Sequence, residues 1–207
     1  MKAATILGAA LACLVVPLSA QTDLEPRRVV TGLSDQGRAV VVSDSAPAEV
    51  ISFEALPGFV LAPMWGTGAV PTLPEPGERP AFRMGDFVPE PGGTHFLLFT
   101  LPTPGELAAA AENPDMMADL TAEMSAEVPD LVDAISEANP DLHATVSIDY
   151  VIVISGTVAL ELDDGAMVTL HPGDVVVQNG TRHAWHNAGE ERALLAAVLV
   201  GAAAGSQ

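Results

Sequence analysis

The side chains able to do chemistry crowd into one run, His143 to Asn187, which sets three possible metal ligands among short apolar strands and tight glycine turns. Imidazole and carboxylate groups bind divalent ions, and imidazole also exchanges protons near neutral pH. Four of the chain's five histidines, His143, His171, His183 and His186, lie in this run. Which of them can meet depends on the strands that carry them.

Those strands are short and closely spaced. Tyr150 to Ile154 is rich in β-branched residues and stops at Ser155-Gly156, where glycine permits a turn. Val158 to Leu162 alternates enough to be half buried, and Asp163-Asp164-Gly165 is an Asp-Gly hairpin signal leading into Met167 to Leu170. His171-Pro172-Gly173-Asp174 turns the chain into Val175 to Gln178, and Asn179-Gly180 turns it back toward His183 to Asn187 and a last apolar run, Leu194 to Val200. Many short antiparallel strands at this spacing predict a sandwich or barrel.

The stretch resembles the two sequence motifs of the cupins, small β-barrels of jelly-roll type. The first motif has a His, a second His two residues on, a Glu four residues further and a Gly closing the next strand. His143, Thr145, Asp149 and Gly156 stand in those places. The second motif is matched by Pro172-Gly173-Asp174, Gly180, His183 and Asn187. Thr145 replaces a ligand histidine, Asp149 shortens the usual glutamate, and the strand before Gly180 is one residue short. More narrowly, Ser147-Ile148-Asp149-Tyr150 and Gly180 to Trp185 look like a subfamily of small single-domain cupins that names no substrate. The resemblance leaves His143, Asp149 and His183 as the ligand set of a facial triad with open positions, suited to Fe(II) and tolerant of Mn, Zn or Ni. The alternative is a metal-free barrel in which the three share hydrogen bonds inside the cavity.

Alternation along a strand predicts what else lines that cavity. Val151 and Val153 face the same way as Asp149, and Trp185 and Asn187 the same way as His183. Trp185, Gln178, Val151 and Val153 are the expected substrate contacts, with Trp185 either a wall of the site or plain core. Tyr150 and His186 belong to the opposite face, and His171 to a solvated turn. His95, in the strand-like Thr94 to Phe99, is a reserve candidate for the missing ligand. No catalytic residue is assigned.

At 207 residues and 49% hydrophobic, the chain has a one-domain length and ample material for a core. Met1 to Ala20 reads as a secretory signal peptide cleaved near Ala20, so the expected protein is periplasmic or secreted, with no stable membrane span in the mature chain. Cys13, the only cysteine, lies in that leader, and the mature chain can form no disulfide. The formal charge of -19 opposes binding to nucleic acid.

Residues 21–103 are expected to add N-terminal strands that extend the barrel, including a hairpin of Arg27 to Gly32 with Arg38 to Ser43. A helical insertion follows over residues 104–140. Asn113-Pro114 starts a helix with Met116, Leu120 and Met124 on one face. A second helix starts at Pro129, presents Leu131, Ile135 and Ala138, and stops at Pro140. These helices either cover the mouth of the barrel or pack on its outer sheet or a dimer partner. Residues 141–201 hold the cupin motifs.

The sequence thus predicts a mainly β, jelly-roll barrel with a short helical insertion, exported and binding a small molecule. A divalent metal would make it an enzyme of dioxygenase, isomerase or lyase type. Without one it would be a ligand-binding or interaction protein. A homodimer is implied by the resemblance alone.

Overall fold

The turn chemistry of the sequence sets the strand pattern. In the computed structural model, which describes residues 24–73, 82–135, 139 and 142–203, Asp164 and Gly165 both take positive φ, 60° and 70°, as an Asp-Gly hairpin turn requires. Gly156 has φ 85°, and a Cβ there would lie 2.8 Å from the Ala193 Cα. Only glycine closes that turn without strain.

Between such turns run eleven strands. The first five are β1 (Arg28–Leu33), β2 (Ala39–Ser45), β3 (Ile51–Ser52), β4 (Val60–Thr67) and β5 (Thr94–Leu101). Three helices follow, α1 (Pro104–Ala111), α2 (Pro114–Glu127) and α3 (Pro129–Asp133). The motif region supplies β6 (Ser147–Ser155), β7 (Val158–Glu161), β8 (Met167–Leu170), β9 (Val175–Asn179), β10 (Ala184–Asn187) and β11 (Ala193–Gly201). A six-stranded sheet runs β3-β4-β5-β11-β6-β9 and a three-stranded sheet β10-β7-β8, every pairing antiparallel. The molecule is mainly β, built as the jelly-roll reading requires.

Alternation decides which face of the large sheet is core. Along β6, Ser147, Asp149, Val151 and Val153 are buried while Tyr150, Ile152 and Ile154 are exposed. On the neighbouring β11, Leu195, Ala197 and Leu199 are buried beside them and join Leu97, Phe99 and Leu101 of β5 in one apolar cluster. Burying such side chains contributes roughly 1.5–3 kcal/mol each.

The N-terminal hairpin departs from expectation. Strands β1 and β2 pair as predicted, but they form a separate two-stranded sheet and do not extend the barrel, which gains only β3, β4 and β5. The hairpin meets the large sheet through Arg28, whose guanidinium donates to the Met64 carbonyl at 3.1 Å and lies 5.8 Å from the Trp65 ring centre. A side-chain anchor therefore replaces a strand ladder.

The helical insertion starts on strong caps. Thr103 and Glu106 form a capping box at α1, Glu106 also pairs with Arg192, and the Asn113 side chain accepts from the backbone of Asp115 and Met116 at α2. Helix α3 is shorter than predicted. Ile135 lies beyond it and makes an isolated β-bridge with His143. Ala138, Pro140 and the leader Met1 to Ala20 lie outside the described residues. Among those described, no helix is long and apolar enough to cross a membrane.

Candidate functional site

One cavity of about 370 Å³ lies between the sheets and gathers most of the residues singled out in the sequence. The large sheet lines it with Asp149 and Val151 of β6 and with apolar side chains of β4, β5 and β11. Trp185 of β10 closes the opposite wall. Leu107, Met124, Leu131 and Ile135 come from the helical insertion, which therefore lines part of the cavity.

His143 and Thr145 come from the segment that precedes β6, outside any named strand. His143 and His183 exchange backbone hydrogen bonds of 3.0 and 2.9 Å in an isolated bridge, which sets their rings 4.3 Å apart and tilted by 52°. The Trp185 ring meets His183 edge-on at 5.7 Å. Burial, with His183 adjacent, holds the His143 pKa down to about 3. Burial likewise lowers that of His183, against an opposing hydrogen bond to Thr181. Both imidazoles are therefore uncharged at neutral pH. His183 Nδ1 lies 2.9 Å from the Thr181 carbonyl oxygen. A carbonyl only accepts, so Nδ1 carries the proton and Nε2 keeps its lone pair.

Asp149 is held differently. Its carboxylate accepts from the Ser147 hydroxyl at 2.6 Å and from the Thr145 hydroxyl at 3.4 Å. Ser147 and Thr145 hydroxyls are themselves 2.7 Å apart. Burial pushes the Asp149 pKa up, and these hydroxyls pull it back. Thr145 thus turns a ligand position of the motif into a hydroxyl partner for the carboxylate.

That arrangement bears on the divalent ion the resemblance implies. The free Nε2 of His183 suits a ligand histidine, whose other nitrogen commonly donates to a carbonyl. His143, Asp149 and His183 line one cavity, yet among the described residues no group of three or more His, Cys, Asp or Glu is placed to hold an ion. As a three-donor centre the set does not fit, and no chemistry is routed through a metal here.

Of the expected substrate contacts, Trp185 and Val151 line the cavity and Gln178 and Val153 do not. Val153 is buried in the apolar core further along β6. Gln178 pairs across the sheet with Asp149, but its Oε1 accepts from Thr181 at 2.8 Å and the side chain is held back in the wall. The reserve candidate His95 stacks on Phe82, ring centres 3.8 Å apart, with Nδ1 3.1 Å from the Phe87 carbonyl, and it does not line the cavity. Asn187 braces the following turn through Leu101, Gly189 and Glu191. His186 borders the cavity while its Nε2 lies 2.7 Å from Glu161. Ser147 was singled out in the sequence only as part of the string Ser147-Ile148-Asp149-Tyr150 and given no role in the site, although it sits two residues before Asp149 on the same strand face.

The cupin domain family matches residues 135–200, the segment that contains both motifs. The chain carries a cupin domain. Among its relatives is phomopsin biosynthesis cluster protein C' of Diaporthe leptostromiformis, 50% identical over 46 residues, which are 22% of this chain and 24% of that protein. The cupin-domain-containing oxidoreductase fogC of Aspergillus ruber is 40% identical over 57 residues, 28% of each chain. The chain thus spans about a quarter of the length of the curated relatives it matches. Among solved structures, the cupin domain of Schizosaccharomyces pombe Cnp3 is similar over 84% of this chain and 87% of its own, at 10% identity and a TM-score of 0.40. A cupin 2 conserved barrel protein from Salinispora arenicola is 33% identical over 26% of this chain and 44% of its own, with a TM-score of 0.24.

Proposed function

We propose that this chain is an exported cupin that takes a small organic molecule into the cavity and exchanges a proton with it through the His143–His183 pair, as an isomerase or lyase would. The observation that carries this reading is the pair of uncharged imidazoles that line, with the buried carboxyl group of Asp149, a largely apolar cavity. Its volume falls in the range of about 300–1,000 Å³ usual for small-molecule sites. Imidazole is the commonest general acid and base at neutral pH. Relatives named as oxidoreductases support an enzyme over a purely structural barrel. The leader-like Met1 to Ala20 supports export.

The test uses the neutral fluorophore N-phenyl-1-naphthylamine. One equivalent should bind with blue-shifted emission, and Ala197→Phe, which fills the cavity, should abolish binding while the circular dichroism spectrum stays native. Folded wild-type protein that ignores the probe would overturn the reading.

A metal-dependent oxidoreductase is the second reading, favoured by the free Nε2 of His183 and by the names of the relatives. Elemental analysis of untagged protein should find iron, manganese, zinc and nickel well below one equivalent. Stoichiometric metal that disappears in both His143→Ala and His183→Ala would restore the ion to the site.

We further propose a homodimer formed through the outer face of the large sheet. Tyr150 pairs with Val177 and Ile152 with Val175 across β6 and β9, and all four side chains are exposed. A second copy would bury that apolar ladder face to face.

A further inference from the structure

We infer that the ligand of this cavity is an uncharged aryl alcohol, a phenol or enol on an aromatic frame, whose hydroxyl donates to His183 Nε2. The inference rests on the proposed small-molecule role of the cavity and names the chemical class that role would serve.

Three observations converge on it. First, among the described residues no arginine or lysine lines the cavity, so no side chain described there carries a fixed positive charge for a carboxylate or phosphate. Arg192 pairs with Glu106, Arg182 with Asp163, and a terminal nitrogen of Arg28 donates to the Met64 carbonyl, all away from the cavity lining. An anion would instead meet the buried carboxyl group of Asp149 in a chain of formal charge -19. Burying an unpaired charge is among the costliest acts in recognition.

Second, the polar lining offers an acceptor in His183 beside the one N–H that the uncharged His143 ring carries, and a hydroxyl, which both donates and accepts, suits the two. The Thr181 carbonyl fixes the proton of His183 on Nδ1, which leaves Nε2 to accept. The hydroxyls of Ser147 and Thr145 are spent on Asp149. A ligand that brings its own donor meets that Nε2, whereas an ether or ketone leaves the lone pair unmet.

Third, the walls are aromatic. Phe59, Phe87, Phe99 and Trp185 line the cavity, and ring systems pack on such walls face-on or edge-on with a gain beyond area alone. A flat hydrocarbon frame fills the space, and a sugar or amino acid would strand its polar groups there.

The experiment is isothermal titration of the full chain at neutral pH with 2-naphthol, 2-methoxynaphthalene and 2-naphthoate, three molecules that share a frame and differ in one group. The expected order is 2-naphthol about tenfold tighter than 2-methoxynaphthalene, the worth of one neutral hydrogen bond, with 2-naphthoate weaker than both. In His183→Leu the tenfold preference should vanish while 2-methoxynaphthalene still binds. Should that variant not fold, nitrogen NMR of histidine-labelled wild type gives the same answer: the His183 Nε2 resonance moves with 2-naphthol and stays with 2-methoxynaphthalene. A 2-naphthoate affinity equal to or above that of 2-naphthol, a preference that survives in His183→Leu, or an unmoved Nε2 resonance overturns the aryl-alcohol inference and leaves the small-molecule reading standing. If none of the three binds and N-phenyl-1-naphthylamine does not either, the small-molecule reading itself fails.

Discussion

His143 shows how one residue links stability to chemistry in this fold. An unfolded imidazole protonates near ~6.5, but burial and His183 hold that of the folded chain down to about 3. Between those values the unfolded state binds the extra proton, so the stability of the folded state is complete above the unfolded pKa and is lost as pH falls through the window. The slope is about 1.4 kcal/mol per pH unit for this proton. Asp149 acts in the opposite sense, because its raised pKa lets the folded state hold a proton more readily in acid. Urea titrations at a series of pH values should show wild type losing stability faster than His143→Leu on acidification. Parallel losses in the two proteins would refute the assignment. At this scale the motif positions were legible in the sequence, since His143, Asp149 and His183 do share one cavity. Depth was not. Strand alternation gives the face a side chain occupies, and Val153 and Gln178 occupy the inner face without reaching the cavity.

The helices add apolar side chains to the wall of the cavity, Leu107, Met124 and Leu131. Their starts were readable because Asn113-Pro114 and Pro129 are cap and first-turn signals with a local cause. The end of α3 was not, because tertiary pairing of Ile135 with His143 outweighs the helical stripe. Leu131 is the insertion's buried contact with the cavity. Leu131→Ala should cost about 2–4 kcal/mol, the usual range for a buried leucine whose site cannot collapse, and should speed dissociation of N-phenyl-1-naphthylamine in stopped flow. A loss of stability with an unchanged off-rate would make α3 a packing element only.

Over the whole molecule, acidity and apolar surface sit in tension. The net charge keeps copies apart, while the exposed ladder of Tyr150, Ile152, Val175 and Val177 invites them together. Sedimentation equilibrium should show a wild-type dimer that tightens with added salt, which screens the repulsion, and Ile152→Lys should be monomeric. A monomeric wild type at all salt concentrations would remove the proposed interface. Local pairings such as the β7–β8 hairpin were legible from turn spacing, whereas the pairing of β6 with β9 and β11 joins strands distant in sequence and followed only from the cupin resemblance. The place of the β1–β2 hairpin was not legible, because no strand ladder joins it to the large sheet, and the contact of Arg28 with Met64 and Trp65 leaves no periodic signal.

His143 is also the middle rung between Ile135 of the insertion and His183 of the second motif. The His143 amide donates to the His183 carbonyl, and the next amide, that of Ala144, donates to the Ala134 carbonyl, so successive amides of one short segment tie it to the second motif and to the insertion. Opening that segment breaks both ties together, so hydrogen–deuterium exchange at the His143 and Ala144 amides should quicken in step.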